Sequence, residues 1–89
     1  MTQKEKIISR ILSGTSDHNI DFRELTGILI SFSFNYRIKG SHHIFYKDDI
    51  EEIINIQPLH TNKAKPYQVK QIRLLILKYH LNIAKNEQI

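Results

Sequence analysis

Two adjacent histidines, His42 and His43, directly follow a glycine–serine pair at residues 40–41. Runs rich in β-branched and aromatic residues flank the pair, which is the pattern of a β-hairpin with a tight turn. An imidazole exchanges protons near neutral pH, so one placed beside such a turn is a candidate general acid or base. Arg37 and Lys39 on the preceding arm are candidate ligands for phosphate oxygens.

Neither a metal site nor a serine triad is predicted from these residues. Adjacent residues of a strand point to opposite faces, so His42 and His43 are badly placed to bind one ion together. The chain has no cysteine, and Ser41 lacks the G-x-S-x-G context of a nucleophilic serine. We therefore expect no metal and no cofactor.

Metal-free cleavage of RNA needs fewer groups than either of those sites. The 2′-hydroxyl of RNA is its own nucleophile, so one imidazole can move the proton while cations such as Arg37, Lys39 or Lys63 stabilise the phosphorane. A histidine in a strand is more often a packing or surface residue. The spacing alone therefore leaves catalysis as one hypothesis among several.

The distribution of charge favours a surface that binds phosphates. The net charge is +4, and the stretches 25–47 and 53–86 contain no acidic residue. Two acid-free blocks indicate a basic face that could follow a nucleic-acid backbone. The residues predicted to contact RNA are six cations of these blocks and the glycine–serine turn within the first block: Arg37, Lys39, Gly40, Ser41, Lys63, Lys65, Lys70 and Arg73.

Caps and apolar spacing predict three helices. A capping box at Thr2 starts the first helix, which ends near Gly14. Asp21 caps the second, which fades near residue 33. Pro66 suits the first turn of the third, which frays after Leu81. The predicted buried faces are Ile8, Ile11 and Leu12; Phe22, Leu25, Ile28, Leu29 and Phe32; and Val69, Ile72, Leu75, Ile76 and Tyr79.

A two-residue period predicts three strands, at residues 34–39, 42–47 and 53–57. In the first, Arg37 and Lys39 share one side. In the second, His42, Ile44 and Tyr46 lie on one side and His43, Phe45 and Lys47 on the other. The element order is then α-α-β-β-β-α. This is an α+β domain whose antiparallel meander carries its helices on one face and leaves the other partly open.

The chain reads as one domain of 89 residues. We expect a core at residues 21–81, a helical N-terminal extension at residues 1–19 and a flexible tail at residues 82–89. No run approaches the roughly 20 apolar residues that span a membrane. Together with the lack of cysteine, this fits a cytoplasmic protein.

The hairpin and its surroundings resemble the HicA (YcfA-like) toxins. The resemblance rests on Arg37–Phe45, on the preceding helix that ends in Phe32–Phe34, on Gln57–His60 and on the basic segment Lys65–Arg73. It extends over Asp21–Leu81, which is most of the chain.

The resemblance implies a double-stranded-RNA-binding-like α-β-β-β-α fold and a metal-independent mRNA interferase that arrests translation. It also implies a HicB-type antitoxin that covers the active surface of this type II toxin. The essential histidine of the family's Gly-Ser-His element corresponds to His42, or to His43 if the strand register differs by one. The turn glycine corresponds to Gly40. A non-catalytic RNA-binding module and a protein-interaction module, both using the same basic face, are the alternatives.

Overall fold

The computed structural model describes residues 2–82. Its elements confirm the predicted α+β class and the order α-α-β-β-β-α: α1 (Gln3–Ser13), a 3₁₀ turn (Asp17–Asn19), α2 (Phe22–Ser31), β1 (Asn35–Lys39), β2 (His42–Lys47), β3 (Ile50–Ile56) and α3 (Pro66–Tyr79). Residues 83–89 of the predicted tail lie outside the described residues. Within residues 2–82 no helix is long and apolar enough to cross a membrane.

Helix α1 begins and ends where predicted, but a different edge of it is buried. The Thr2 N–H donates to Glu5 Oε1 at 2.7 Å, and the Glu5 N–H donates to Thr2 Oγ1 at 3.1 Å, which completes the capping box. The buried pair is Ile7 and Ile11, whereas Leu12 is exposed. The prediction that Leu12 lies in the core was wrong. Helix α1 packs against α2 and α3 through Ile7 and Ile11, which lie four residues apart on one edge of the helix, and Leu12 lies outside that edge.

The predicted apolar faces of α2 and α3 form the core. All five predicted residues of α2 are buried, as are the four aliphatic residues of the α3 set, while Tyr79 is half-buried. Helix α3 ends at Tyr79, two residues earlier than predicted. His80 adopts a left-handed conformation, and the Leu81 N–H bonds the Ile76 carbonyl at 3.1 Å, which stops the helix.

The three strands form an antiparallel sheet in the order β1-β2-β3. Phe45 of β2 and Ile54 and Ile56 of β3 are fully buried beneath the helices. Strand β3 covers Ile50–Ile56, so its prediction at residues 53–57 was wrong at both ends. The ladder between β2 and β3 is irregular between Phe45 and Lys47, and Lys47 pairs with Ile50. The polar residues 51–52 of this stretch interrupt the two-residue hydrophobic period of the sequence, so the start of β3 was not recognised.

Arg73, which is one of the predicted RNA contacts, has a structural role in the fold. Its guanidinium donates to both carboxylate oxygens of Asp17, at 2.9 and 3.2 Å, and to the Ile11 carbonyl at 3.0 Å. The Arg73 side chain is only 16% exposed. It therefore joins α3 to the end of α1 and to the 3₁₀ turn, and three of its N–H groups donate within the fold.

We expect the ion pair between β3 and α3 to make stability depend on pH. Glu52 accepts from Lys78 Nζ at 2.7 Å and from the Tyr79 hydroxyl at 2.6 Å, and these bonds lower the pKa of Glu52 from 4.5 to about 2. A carboxyl whose pKa is depressed by folding stabilises the folded state above its unfolded pKa and loses that effect as pH falls through the folded pKa. Glu52→Gln should therefore unfold with a flatter pH dependence between pH 4.5 and about 2.

Urea midpoints measured across this interval give the comparison. The neighbouring exposed Glu51→Gln is the control, because the Tyr79 hydroxyl contacts only its backbone N–H, at 3.4 Å. The effect should be modest and should shrink in high salt, since the pair is partly exposed. Parallel pH profiles for the wild type and Glu52→Gln would contradict the assignment.

Candidate nucleic-acid interface

Nine side chains, three from each strand or its end, lie on the face of the sheet that the helices leave uncovered. They follow from the ladder pairs Lys39–His42 and Ile44–Asn55 and from the two-residue alternation of each strand. We call this set the open face. Its three rows are Lys39, His42 and Gln57; Arg37, Ile44 and Asn55; and Asn35, Tyr46 and Ile53. Seven of the nine are exposed, Ile44 and Gln57 are half-buried, and none carries a carboxylate.

His42 lies on the open face with one ring nitrogen engaged. Its Nδ1 is 3.0 Å from Asn55 Oδ1. An amide oxygen only accepts, so this contact assigns the proton to Nδ1 and leaves Nε2 with its lone pair in the neutral ring. Lys39 sits directly across the ladder from His42, and Arg37 sits one row away. The arrangement places a ring nitrogen with a lone pair on the same face as two cations.

His43 points to the opposite face of the sheet, as the strand alternation predicted. Its ring packs edge-on against Phe22, with centroids 4.9 Å apart and an interplanar angle of 75°. Its Nδ1 lies 3.3 Å from the Ser41 carbonyl, and the residue is half-buried. Of the two candidate histidines, His42 therefore shares the open face with the cations, and His43 packs against α2.

The turn between β1 and β2 is anchored to α3 through glutamines. Gly40 has φ +62°, and Ser41 does not have positive φ, which is the pattern of a type II′ turn with glycine in its first position. The Ser41 hydroxyl donates to Gln57 Oε1 at 3.2 Å. The buried Gln68 side chain, with its amide oriented to satisfy both partners, bonds the Gln57 carbonyl and N–H at 3.2 Å each.

Two residues of this site were missed by the sequence analysis, Asn55 and Gln68. Asn55 carried a usable signal: it is an amide among isoleucines in a strand, where asparagine is disfavoured unless it makes a specific bond. Gln68 carried none, since a glutamine in the first turns of a helix is ordinarily exposed. Its burial appears only when α3 is docked against the end of β3.

The predicted RNA contacts divide between the two sides of the sheet. Arg37, Lys39, Gly40 and Ser41 lie around His42. Within residues 2–82, neither of these two cations has an ion-pair partner. Four others lie on or before α3, across the sheet from the open face: Lys63, Lys65, Lys70 and Arg73. Lys63 Nζ is bound to Asp21 at 2.8 Å and to Asn19 at 3.1 Å. Lys65 precedes the first turn of α3, and Lys70 is exposed on its surface.

Between residues 2 and 82, no three His, Cys, Asp or Glu side chains come close enough together to hold an ion.

We expect Gly40→Ala to destabilise the hairpin tip. Nothing lies within 4 Å of an added Cβ, so the cost comes from the positive φ alone and should be about 1–2 kcal/mol in the free energy of unfolding. Gly27→Ala is the matched control, because an added Cβ in this helical glycine also meets nothing within 4 Å. It should stabilise the protein by about 0.5–1 kcal/mol. Chemical denaturation of both variants tests this, and equal effects would contradict the turn geometry.

Comparison with known protein families gives a match over most of the chain. The family described as HicA toxin of bacterial toxin-antitoxin matches residues 22–79. No curated protein and no solved structure matches the chain. The matched range contains α2, all three strands and α3, and it leaves α1 outside.

Proposed function

Because the chain belongs to the HicA toxin family of bacterial toxin–antitoxin systems, we propose that it is a metal-independent endoribonuclease that cleaves mRNA with His42 as its general acid or base. The observation that carries this proposal is the contact of His42 Nδ1 with Asn55 Oδ1 on an open face that contains Arg37 and Lys39. It leaves Nε2 facing solvent on the side of the sheet where phosphates can approach.

The reaction needs only groups that this face supplies. Nε2 of His42 accepts the proton of the ribose 2′-hydroxyl while the 2′-oxygen forms a bond to the adjacent phosphorus. The bond from phosphorus to the 5′-oxygen then breaks, water delivers a proton to that leaving oxygen, and the His42 imidazolium returns its proton to the solvent. The products are a 2′,3′-cyclic phosphate and a 5′-hydroxyl. Lys39 and Arg37 stabilise the negative charge that builds on the phosphorane oxygens.

The turn and Asn55 orient the histidine. A hydrogen bond to one ring nitrogen fixes both the tautomer and the ring plane of an imidazole. Asn55 supplies that bond, and the contact of Ser41 with Gln57 holds the tip of the hairpin in place. Gly40 lets the backbone turn without a side chain, so the RNA backbone can pass close to the tip.

A HicB-type antitoxin would neutralise the toxin by covering the open face. We expect its contact surface to be acidic, because it competes with RNA for Arg37 and Lys39. The proposed substrate, mRNA, places this reaction in the cytoplasm.

His42→Ala should lower the rate of RNA cleavage by about 10²- to 10⁴-fold, the usual contribution of one general acid or base. The measurement incubates purified protein with mRNA in a chelator and identifies the product ends. The wild type should yield cyclic phosphate ends in the chelator. His18→Ala is the control, since His18 is an exposed residue of the 3₁₀ turn.

Three results would count against this assignment. If His42→Ala cuts as fast as the wild type, His42 is not the working group. If His43→Ala, tested as a folded protein, loses activity while His42→Ala keeps it, the neighbouring histidine does the work. If the wild type binds RNA but never cuts it, the non-catalytic RNA-binding alternative is correct.

Asn55→Leu should lower the cleavage rate without weakening RNA binding. We expect a loss of roughly 10- to 100-fold, the range found when the hydrogen-bond partner of a metal-bound histidine is removed. Asn55→Asp keeps an acceptor oxygen, so it should retain activity, and its negative charge should shift the pH–rate profile upward by favouring the imidazolium. An unshifted profile for Asn55→Asp, or full activity for Asn55→Leu, would show that Asn55 does not orient His42.

A further inference from the structure

The end of the open face farthest from His42 is aromatic and aliphatic rather than cationic. Tyr46 lies on β2 four residues beyond His42, which at about 3.4 Å per residue is roughly 13–14 Å along the strand. Ile53 of β3 lies on the same face, two residues before Asn55, where the ladder between β2 and β3 becomes irregular. Tyr46 is 41% exposed and Ile53 is 65% exposed. Large apolar side chains on the outer face of a sheet need an explanation other than core packing.

The ring of Tyr46 has no aromatic stacking partner, whereas the ring of another exposed tyrosine of the sheet has one. Tyr36, on the other face, stacks on Phe45 with ring centroids 5.3 Å apart and an interplanar angle of 28°. Within residues 2–82, Tyr46 makes neither an aromatic contact nor a side-chain hydrogen bond. A flat, solvent-facing ring is therefore present on the same surface as the proposed catalytic histidine.

We propose that Tyr46, supported by Ile53, is a stacking site for one unpaired nucleobase of the RNA, two rows along the open face from His42. This inference rests on the proposed function and adds a substrate requirement to it. Every base has a π-face, so stacking on an aromatic side chain is tolerant of sequence. A base within a duplex already stacks on its neighbours, so the RNA must be single-stranded where it contacts Tyr46.

The chemistry of the row between the two sites favours RNA over an apolar protein partner. Arg37 and Asn55 flank Ile44 in that row, and Asn35 flanks Tyr46 in the last one. The Asn35 amide beside the ring and a guanidinium one row away suit a strand that alternates between phosphates and bases. An apolar protein epitope would instead meet an unpaired guanidinium at the centre of its contact.

The test measures binding of a fluorescein-labelled oligouridylate by anisotropy. The oligouridylate carries 2′-O-methyl groups, so the ribose oxygen cannot attack and cleavage does not enter the measurement. Tyr46→Ala should weaken binding by roughly 5- to 150-fold, the range that base–aromatic stacking energies correspond to. Tyr46→Phe, which keeps the ring, should bind like the wild type. Tyr67→Ala removes an exposed tyrosine of α3 and should also leave binding unchanged.

A second probe separates stacking from any general damage to the fold. An abasic strand of the same length keeps the phosphates but has no base to stack. The wild type and Tyr46→Ala should bind it equally weakly. Annealing oligoadenylate to the oligouridylate should lower the wild-type affinity and remove the difference between the two proteins.

Three outcomes would overturn the stacking site. In the first, Tyr46→Ala binds the oligouridylate as tightly as the wild type does, and in the second it loses as much affinity for the abasic strand as for the oligouridylate. The third outcome is that Tyr46→Ala loses affinity for the antitoxin while its affinity for the oligouridylate is unchanged. The last would mark Tyr46 as part of a protein interface. Since the probe cannot be cleaved, these outcomes are independent of catalysis. A Tyr46-dependent affinity together with full activity of His42→Ala would keep the stacking site and reject the proposed nuclease mechanism.

Discussion

The burial of Phe45 fixes the position of every side chain on the open face. Phe45 is fully buried under the helices, and its neighbours on β2 alternate between that side and solvent. A slip of one residue would turn His42 inward and put His43 outside, because the side-chain period of a strand is two. The cost of exposing a phenylalanine, about 1.5–3 kcal/mol, therefore also selects which imidazole meets the solvent.

Residues of the core are connected to the candidate site by hydrogen bonds as well as by packing. Buried Gln68 holds the main chain of Gln57, whose side chain accepts from Ser41 at the hairpin tip. Asn55, beside the fully buried Ile54 and Ile56, meets His42. Groups on packed strands keep their geometry better than groups on loops, which suits the proposed reaction because it depends on the direction of one ring nitrogen.

A basic composition is not the same as a basic surface. Arg73 and Lys63 lie in an acid-free part of the sequence, yet Asp17 and Asp21 from the first quarter of the chain fold back to bind them. The excess of cations that marks the sequence is thus partly used to join α3 and its preceding loop to the N-terminal half. Two cations, Arg37 and Lys39, remain on the open face. They act over a short range, since salt screens exposed charges beyond roughly 8–10 Å.

The sequence by itself determined the class, the element order, the alternation of His42 and His43 and the faces of α2 and α3, because caps and hydrophobic periods are local properties. It also carried the family resemblance, which the match to residues 22–79 confirmed. Only the tertiary structure decided that Asn55 meets His42 and that Arg73 is occupied by Asp17, which lies 56 residues away along the chain. Such contacts join segments whose spacing leaves no periodic trace, so they exist only once the sheet and helices have packed.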